Sequence, residues 1–150
     1  CPTRFFQKSF FEKTNKLTLT IPLPVMTAPR RGRDFSQELD LPNDAFVALY
    51  LYDVRSTNQR KNPQGTVQAF LAFAERHRDC YLVLKINRWQ QADPNLLAWL
   101  PKHPRLRIVT ETLDQPGLSD LYGVADVYIS LHRSEGFGRT LVEASNMDSN

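Results

Sequence analysis

Two short stretches carry the side chains best suited to binding an anionic ligand. The first contains Arg55, Arg60 and Lys61 and leads into Asn62-Pro63. Arginine offers phosphate oxygens a planar fork of donors, and lysine offers a compact point charge. Pro63 suits the first turn of a helix, whose free N–H groups and dipole also favour an anion. The stretch indicates a phosphate site, and a solvated surface loop is the alternative that it leaves open by itself.

The second stretch is rich in glycine and carries two carboxylates eight residues apart. It comprises His132, Ser134, Glu135, Gly136, Phe137, Gly138 and Glu143. Gly136 and Gly138 allow left-handed dihedral angles and a close approach of the backbone to a ligand. An ionised carboxylate only accepts hydrogen bonds, so sugar hydroxyls are its natural partners. Phosphate binding beside hydroxyl binding predicts a nucleotide-sugar site.

Both stretches follow predicted strands in an alternating β-α pattern. The unbroken apolar run 46–52 is typical of a strand that is covered on both faces. The predicted strands are 46–52, 81–86, 106–109 and 126–131, and the predicted helices begin at Pro63, Asn95, Leu118 and near Gly138. This pattern predicts an α/β fold with a Rossmann-like, doubly wound parallel sheet. In the strand order 3-2-1-4 the two stretches meet outside the carboxyl ends of neighbouring strands, where ligands bind.

The amino-terminal segment differs in charge from the rest. Residues 1–33 hold seven basic side chains and one acidic one, whereas the remaining 117 hold 12 basic and 15 acidic ones. The cluster at Arg30, Arg31 and Arg33 lacks the aromatic residues typical of an RNA-binding surface, so we interpret it as a solvated linker. Upstream of it, the pattern predicts a helix over 3–14 and a strand over 17–21.

Composition excludes several classes of protein. Cys1 and Cys80 form neither a disulfide framework nor a C-x-x-C zinc pair, and Cys80 is expected to be a buried apolar residue. No apolar run approaches the roughly 18 residues that cross a bilayer, and no secretory signal pattern is present. No Asp-x-Asp motif indicates a metal bound to phosphate.

The motifs together resemble the family 4 retaining glycosyltransferases of GT-B fold. The resemblance is carried by Ser-Glu-Gly-Phe-Gly at 134–138 with Glu143-Ala144, by the preceding strand, by the Arg-Lys-Asn-Pro motif at 60–63 and by Leu-Val-Leu-Lys at 82–85. It extends over residues 46–144. It implies that residues 1–25 end an acceptor-binding domain, that 26–44 form a linker, and that 45–150 are a truncated donor-binding domain.

The resemblance also implies roles for individual residues. Glu143 binds the ribose hydroxyls, and Glu135 contacts the transferred sugar. Lys61 holds the diphosphate together with Arg55 or Arg60, and the choice between these arginines stays open. Lys61 and Glu135 are the catalytic candidates, with neither glutamate assigned as a nucleophile. The remaining donor-binding candidates are His132, Ser134, Gly136, Phe137 and Gly138.

The implied reaction transfers a sugar from a nucleoside diphosphate to a saccharide or lipid acceptor, with retention, in polysaccharide biosynthesis. No cofactor, metal or nucleic acid is expected. The alternatives are a non-catalytic nucleotide-sugar-binding module, a GT-B epimerase, or a phosphorylase, whose pyridoxal lysine has no counterpart that we can place. Because the chain lacks an initial Met and leaves the family pattern after Ala144, we expect an inactive fragment of a cytoplasmic enzyme whose full-length parent can associate peripherally with a membrane.

Overall fold

The computed structural model describes residues 3–92, 94 and 98–147. Its strands are β1 (Phe46–Asp53), β2 (Cys80–Asn87), β3 (Leu106–Val109) and β4 (Val127–Tyr128). Its helices are α1 (Arg4–Thr14), α2 (Phe35–Glu38), α3 (Asn58–Lys61), α4 (Pro63–Ala74), α5 (Gln115–Tyr122) and α6 (Arg139–Met147), with a 3₁₀ turn at Trp89–Gln91.

The four strands form one parallel sheet in the order β3-β2-β1-β4. The predicted Rossmann-like α/β fold and strand order are therefore confirmed. β1 pairs with β2 over eight residues, from Phe46 opposite Cys80 to Asp53 opposite Asn87. β1 pairs with β4 through two residues only. The carboxyl ends of β1 and β4 thus lie side by side.

Helices cover both faces of β1, which explains its unbroken apolar sequence. On one face, Tyr50 and Tyr52 pack in a cluster with Val67 and Phe70 of α4. On the other face, Val47, Leu49 and Leu51 pack with the last turn of α5 and with Phe35 of α2. Alternate side chains of a strand point to opposite faces, so β1 contributes to both cores.

Several boundaries differ from the sequence prediction. β4 is shorter than predicted because, after Ile129 donates its N–H to the Leu49 carbonyl at 2.9 Å, the chain leaves the sheet towards α3. α5 begins at Gln115, earlier than predicted, because the Asp114 carboxylate accepts from the Gly117 N–H at 3.0 Å and caps the helix. The helix expected at 95–100 lies largely outside the described residues. The short helix α3 was not predicted.

The strand predicted over 17–21 is wrong. These residues have no regular secondary structure and lie beside α1, where Gln7 donates to the Thr18 carbonyl and accepts from the Thr20 hydroxyl. An alternating pattern forms a strand only when another strand pairs with it. Here a side chain of α1 takes the place of a pairing strand.

The basic cluster at 30–33 is tied to the domain, which corrects its interpretation as a solvated linker. The Asp120 carboxylate, 4% exposed, accepts from the backbone N–H groups of Arg31 and Gly32, each at 3.0 Å. The Arg31 side chain forms an ion pair with Asp114 at 2.7 Å. Arg33 pairs with Glu38 and Glu111, each at 2.6 Å. These cations are already paired with carboxylates of the same chain.

Replacing Asp120 should detach this segment. The substitution Asp120→Ala removes two hydrogen bonds and leaves two N–H groups without an acceptor, which should lower the free energy of unfolding by about 1–3 kcal/mol. Asp120→Asn keeps the accepting oxygen and should cost less. Chemical denaturation of both variants measures the difference, with Asp44→Ala at an exposed position as the control. An Asp120→Ala protein as stable as the control would contradict the assignment.

Candidate functional site

Direct hydrogen bonds join the loop after β1 to the loop after β4. The Arg133 N–H donates to the Arg60 carbonyl at 2.9 Å. The Arg133 guanidinium donates to the Gln59 carbonyl at 2.7 Å, and the Asn62 amide donates to the Leu131 carbonyl at 3.1 Å. The two motif-bearing stretches are therefore held against each other, as the strand order predicted.

One carboxylate oxygen forms the centre of this junction. Oε2 of Glu135 lies 2.5 Å from Nζ of Lys61, 3.1 Å from Nδ1 of His132 and 3.4 Å from Nη1 of Arg60. The side chains of Lys61 and His132 are 13% and 4% exposed, and that of Glu135 is 27% exposed. Arg60 also donates to the Ser134 carbonyl at 3.3 Å. Four of the predicted site residues thus share one partly buried cluster.

Opposing effects set the protonation of this cluster. Burial raises the pKa of Glu135, but the hydrogen bond and charge of Lys61, with smaller contributions from the Gly136 N–H and Arg60, hold that pKa below its usual value. Burial and the positive charge of Lys61 lower the pKa of His132, against the opposing effect of Glu135. Although Nδ1 of His132 lies close to Glu135, neither ring nitrogen has an aligned hydrogen-bond partner among the described residues. The cluster therefore favours an ionised glutamate beside a neutral imidazole.

The glycine turn positions the start of α6. Gly138 has a φ of +75°, and its carbonyl accepts from the N–H groups of Leu141 and Val142. Gly136 does not have a positive φ, so the expected left-handed conformation occurs at only one of the two glycines. The space around Gly136 is open, since an added Cβ would meet no atom within 4 Å. Ser134 is exposed and Phe137 half-buried in the same turn.

The two candidate arginines of the first loop lie in different places. Arg60 joins the cluster around Glu135, whereas the Arg55 guanidinium donates to the Gln91 side chain at 3.1 Å. Arg55 is exposed. The structure thus brings Arg60, and not Arg55, beside Lys61.

Glu143 belongs to a neighbouring cleft of about 460 Å³ at the carboxyl ends of β1 and β2 and the start of α6. It is 4% exposed and accepts from the Tyr122 hydroxyl at 3.2 Å and from Nε of Arg139 at 2.7 Å. The side chain of Arg139 is 63% exposed and forms an ion pair with Glu143. A wider groove of about 630 Å³ runs along the outer edge of β3, away from both loops.

Sequence reasoning gave no role to two residues of the cleft, Lys85 and Asn87. Lys85 is fully buried near the end of β2 and donates to Oδ1 of Asn87 at 2.7 Å. A lysine inside an otherwise apolar strand is the signal that could have identified it, because buried lysines are rare unless paired. Burial lowers the pKa of Lys85.

Comparisons with solved structures identify the fold. The chain is similar to the OtsA apo structure, with a TM-score of 0.63 and 12% sequence identity, over 80% of this chain and 30% of that one. It is similar to the GtfA/B complex with a TM-score of 0.58 and 18% identity, over 96% of this chain and 26% of that one. It is also similar to a putative UDP-N-acetylglucosamine 2-epimerase from Listeria monocytogenes, with a TM-score of 0.53 and 21% identity, over 79% of this chain and 29% of that one. The chain has an α/β Rossmann-like fold that matches these structures.

The chain spans less than a third of the length of each of these three structures. No protein-family model matches it, and no match to a curated protein was found. In the part of the chain that the structure describes, no three His, Cys, Asp or Glu side chains cluster as metal ligands would. Within that same part, no helix has the length and apolar character needed to span a membrane.

The charges around Glu135 should control the titration of His132 in opposite directions. Glu135→Gln removes a negative charge that favours imidazolium and should lower the pKa of His132. Lys61→Met removes a positive charge and should raise it. NMR titration of the imidazole protons measures both, with Lys102→Met, at an exposed position, as a charge-matched control. Shifts of the same sign in the two site variants would show that the cluster does not form in solution.

Proposed function

We propose that the chain is the donor-binding part of a family 4 retaining glycosyltransferase and binds a nucleoside diphosphate sugar. The observation that carries this proposal is the convergence of Lys61, Arg60 and His132 on Glu135, at the junction of two loops, beside a cleft that contains a buried carboxylate. Crevices at the carboxyl ends of parallel strands bind ligands throughout the doubly wound folds.

Lys61 and Arg60 are the proposed diphosphate ligands. Glu135 is their shared counter-ion and keeps the two cations close together. A diphosphate takes over this role with more charge and more acceptor atoms. The first N–H groups of α6, after Gly138, add donors on the same side. Fixed donors of this kind stabilise the negative charge that develops on a leaving diphosphate.

Glu143 is the proposed ribose ligand. Its carboxylate has roughly four acceptor positions, and two are used by Tyr122 and Arg139. The rest can accept from the ribose hydroxyls. A cleft of about 460 Å³ lies within the size range of small-molecule sites, roughly 300–1,000 Å³.

Glu135 is the proposed contact to the transferred sugar. Once a diphosphate pairs with Lys61 and Arg60, the carboxylate is released from its ion pairs and can accept from sugar hydroxyls. An ionised carboxylate only accepts hydrogen bonds, which suits contacts to sugar hydroxyls. Family 4 membership and retention of configuration belong to the proposal and rest only on the resemblance of the motif at 134–144.

An epimerase is the second candidate, because one of the similar structures is a putative UDP-N-acetylglucosamine 2-epimerase. An epimerase inverts one carbon of the donor sugar and needs no acceptor. Incubation of the chain with UDP-N-acetylglucosamine alone, followed by analysis of the recovered sugar, distinguishes the two. The donor-binding part of a transferase returns the sugar unchanged, and formation of the 2-epimer would overturn the transferase proposal. A non-catalytic module would also return the sugar unchanged, so the binding roles are tested separately.

Substitutions at Lys61 and Glu143 should weaken the binding of nucleoside and nucleoside diphosphate to different extents. Lys61→Ala removes charge-assisted bonds and should weaken nucleoside diphosphate binding by about 1.5–3 kcal/mol, with a smaller loss for the plain nucleoside. Glu143→Gln should weaken nucleoside and diphosphate about equally. Isothermal titration calorimetry with uridine, UDP, guanosine and GDP measures both, and Lys102→Ala is the control.

Salt provides an independent reading of the same contacts. Added salt should weaken diphosphate binding to the wild type by screening the phosphate contact, and Lys61→Ala should reduce this dependence. Equal losses of nucleoside and diphosphate affinity in Lys61→Ala would remove Lys61 from the diphosphate site. Binding unaffected by both variants would reject the proposed function.

A further inference from the structure

Lys85 is a buried cation without a carboxylate partner. The residue is fully buried, yet it belongs to the lining of the cleft that contains Glu143. Its ammonium group donates to Oδ1 of Asn87 at 2.7 Å and makes a longer contact, 3.4 Å, with the Ile86 carbonyl. No carboxylate of the described residues lies within ion-pair distance. Burying such a charge is costly, so its position in a ligand-sized cleft calls for a functional explanation.

The two carboxylates that line the cleft are paired with other residues. Asp53 forms an ion pair with Arg88 and also accepts from the Arg55 N–H. Glu143 is paired with Arg139. Lys85 therefore retains hydrogen-bonding capacity, since an ammonium group has three N–H donors and no acceptor and only one of its contacts is short.

Lys85 also fixes the orientation of Asn87. Because the ammonium group donates to Oδ1, the amide oxygen is occupied and the NH₂ group lies on the opposite side. Nδ2 of Asn87 has no hydrogen-bond partner among the residues that the structure describes, and the half-buried side chain lines the same cleft. Lys85 and Asn87 together offer the cleft more N–H donors than acceptor positions, because their one acceptor oxygen already accepts from Lys85. We call this pair the donor floor.

We propose that the donor floor contacts the nucleobase and selects it by its hydrogen-bonding groups. Uracil and guanine, which present a carbonyl oxygen, bind in preference to cytosine and adenine, which present an amino group. This inference rests on the proposed function, because ribose at Glu143 brings the base to the same cleft. Uracil-type and guanine-type bases accept a hydrogen bond at the position where cytosine and adenine donate one. An amino group facing the donor floor would leave buried donors on both sides unpaired, which is penalised more strongly than the loss of one bond.

Matched nucleotide pairs test the proposal on the 150-residue chain. UDP and CDP form one pair and GDP and ADP the other, and calorimetry compares affinities within each pair. We expect the carbonyl-bearing member to bind about tenfold or more tightly in at least one pair. The variant Lys85→Met, which keeps the length and apolar stem of the side chain, should reduce that preference to within about twofold. Lys102→Met should preserve it.

Asn87→Asp supplies a second, independent variant. It replaces the NH₂ donor by an acceptor and gives Lys85 a carboxylate partner, so it should also abolish the preference for the carbonyl base. Thermal melts verify that Lys85→Met and Asn87→Asp are both folded. If one variant does not fold, the other decides.

The possible outcomes separate this inference from the proposed function. If the diphosphates bind, and Lys61→Ala weakens them, but both pairs bind within about twofold, the proposed function stands and base selection by the donor floor is overturned. A preference that persists in folded Lys85→Met or Asn87→Asp protein also overturns it. If none of the four nucleotides binds, both proposals fail.

Discussion

The central position of β1 in the sheet is the constraint on which the other features depend. β1 has β2 on one side, in register over eight residues, and β4 on the other. A shift of this register by one residue would move Tyr50 and Tyr52 from one core to the other, so both faces fix the register. Because the strands are parallel, the loops that follow β1 and β4 are brought to the same edge. The cluster around Glu135 exists only because these two loops meet.

In the proposed diphosphate site, one carboxylate lies between two cations. Lys61 and Arg60 repel each other, and the Glu135 carboxylate between them offsets this repulsion. A diphosphate that binds here breaks the ion pairs of Glu135 with Lys61 and Arg60, and breaking them offsets part of the binding free energy. In return, the cations are positioned in advance, and less conformational entropy is lost on binding.

The sequence was most informative where local pattern and topology agree. The apolar run of β1 and the Gly138 turn are visible without coordinates, and the strand order follows from the family of folds. The strand expected over 17–21 was wrong because pairing is a property of the partner, which a local pattern does not contain. The choice of Arg60 over Arg55 depends on a one-turn helix, α3, that sets which side chain faces Glu135. The role inferred for Lys85 depends on the burial of a single ammonium group, which only the packed structure reveals.

The central claim, that the loops after β1 and β4 form one ligand site, is tested most directly by mapping amide NMR shifts during titration with UDP or GDP. We predict that the largest shifts fall on two segments, 58–62 and 134–143, with further shifts near Asn87 and Thr112 in the adjoining cleft. The amides at the amino-terminal ends of β1 and β2, at Phe46 and Cys80, should not shift. Shifts confined to those strand ends or to the basic segment 1–33, with none in the two loops, would contradict the account.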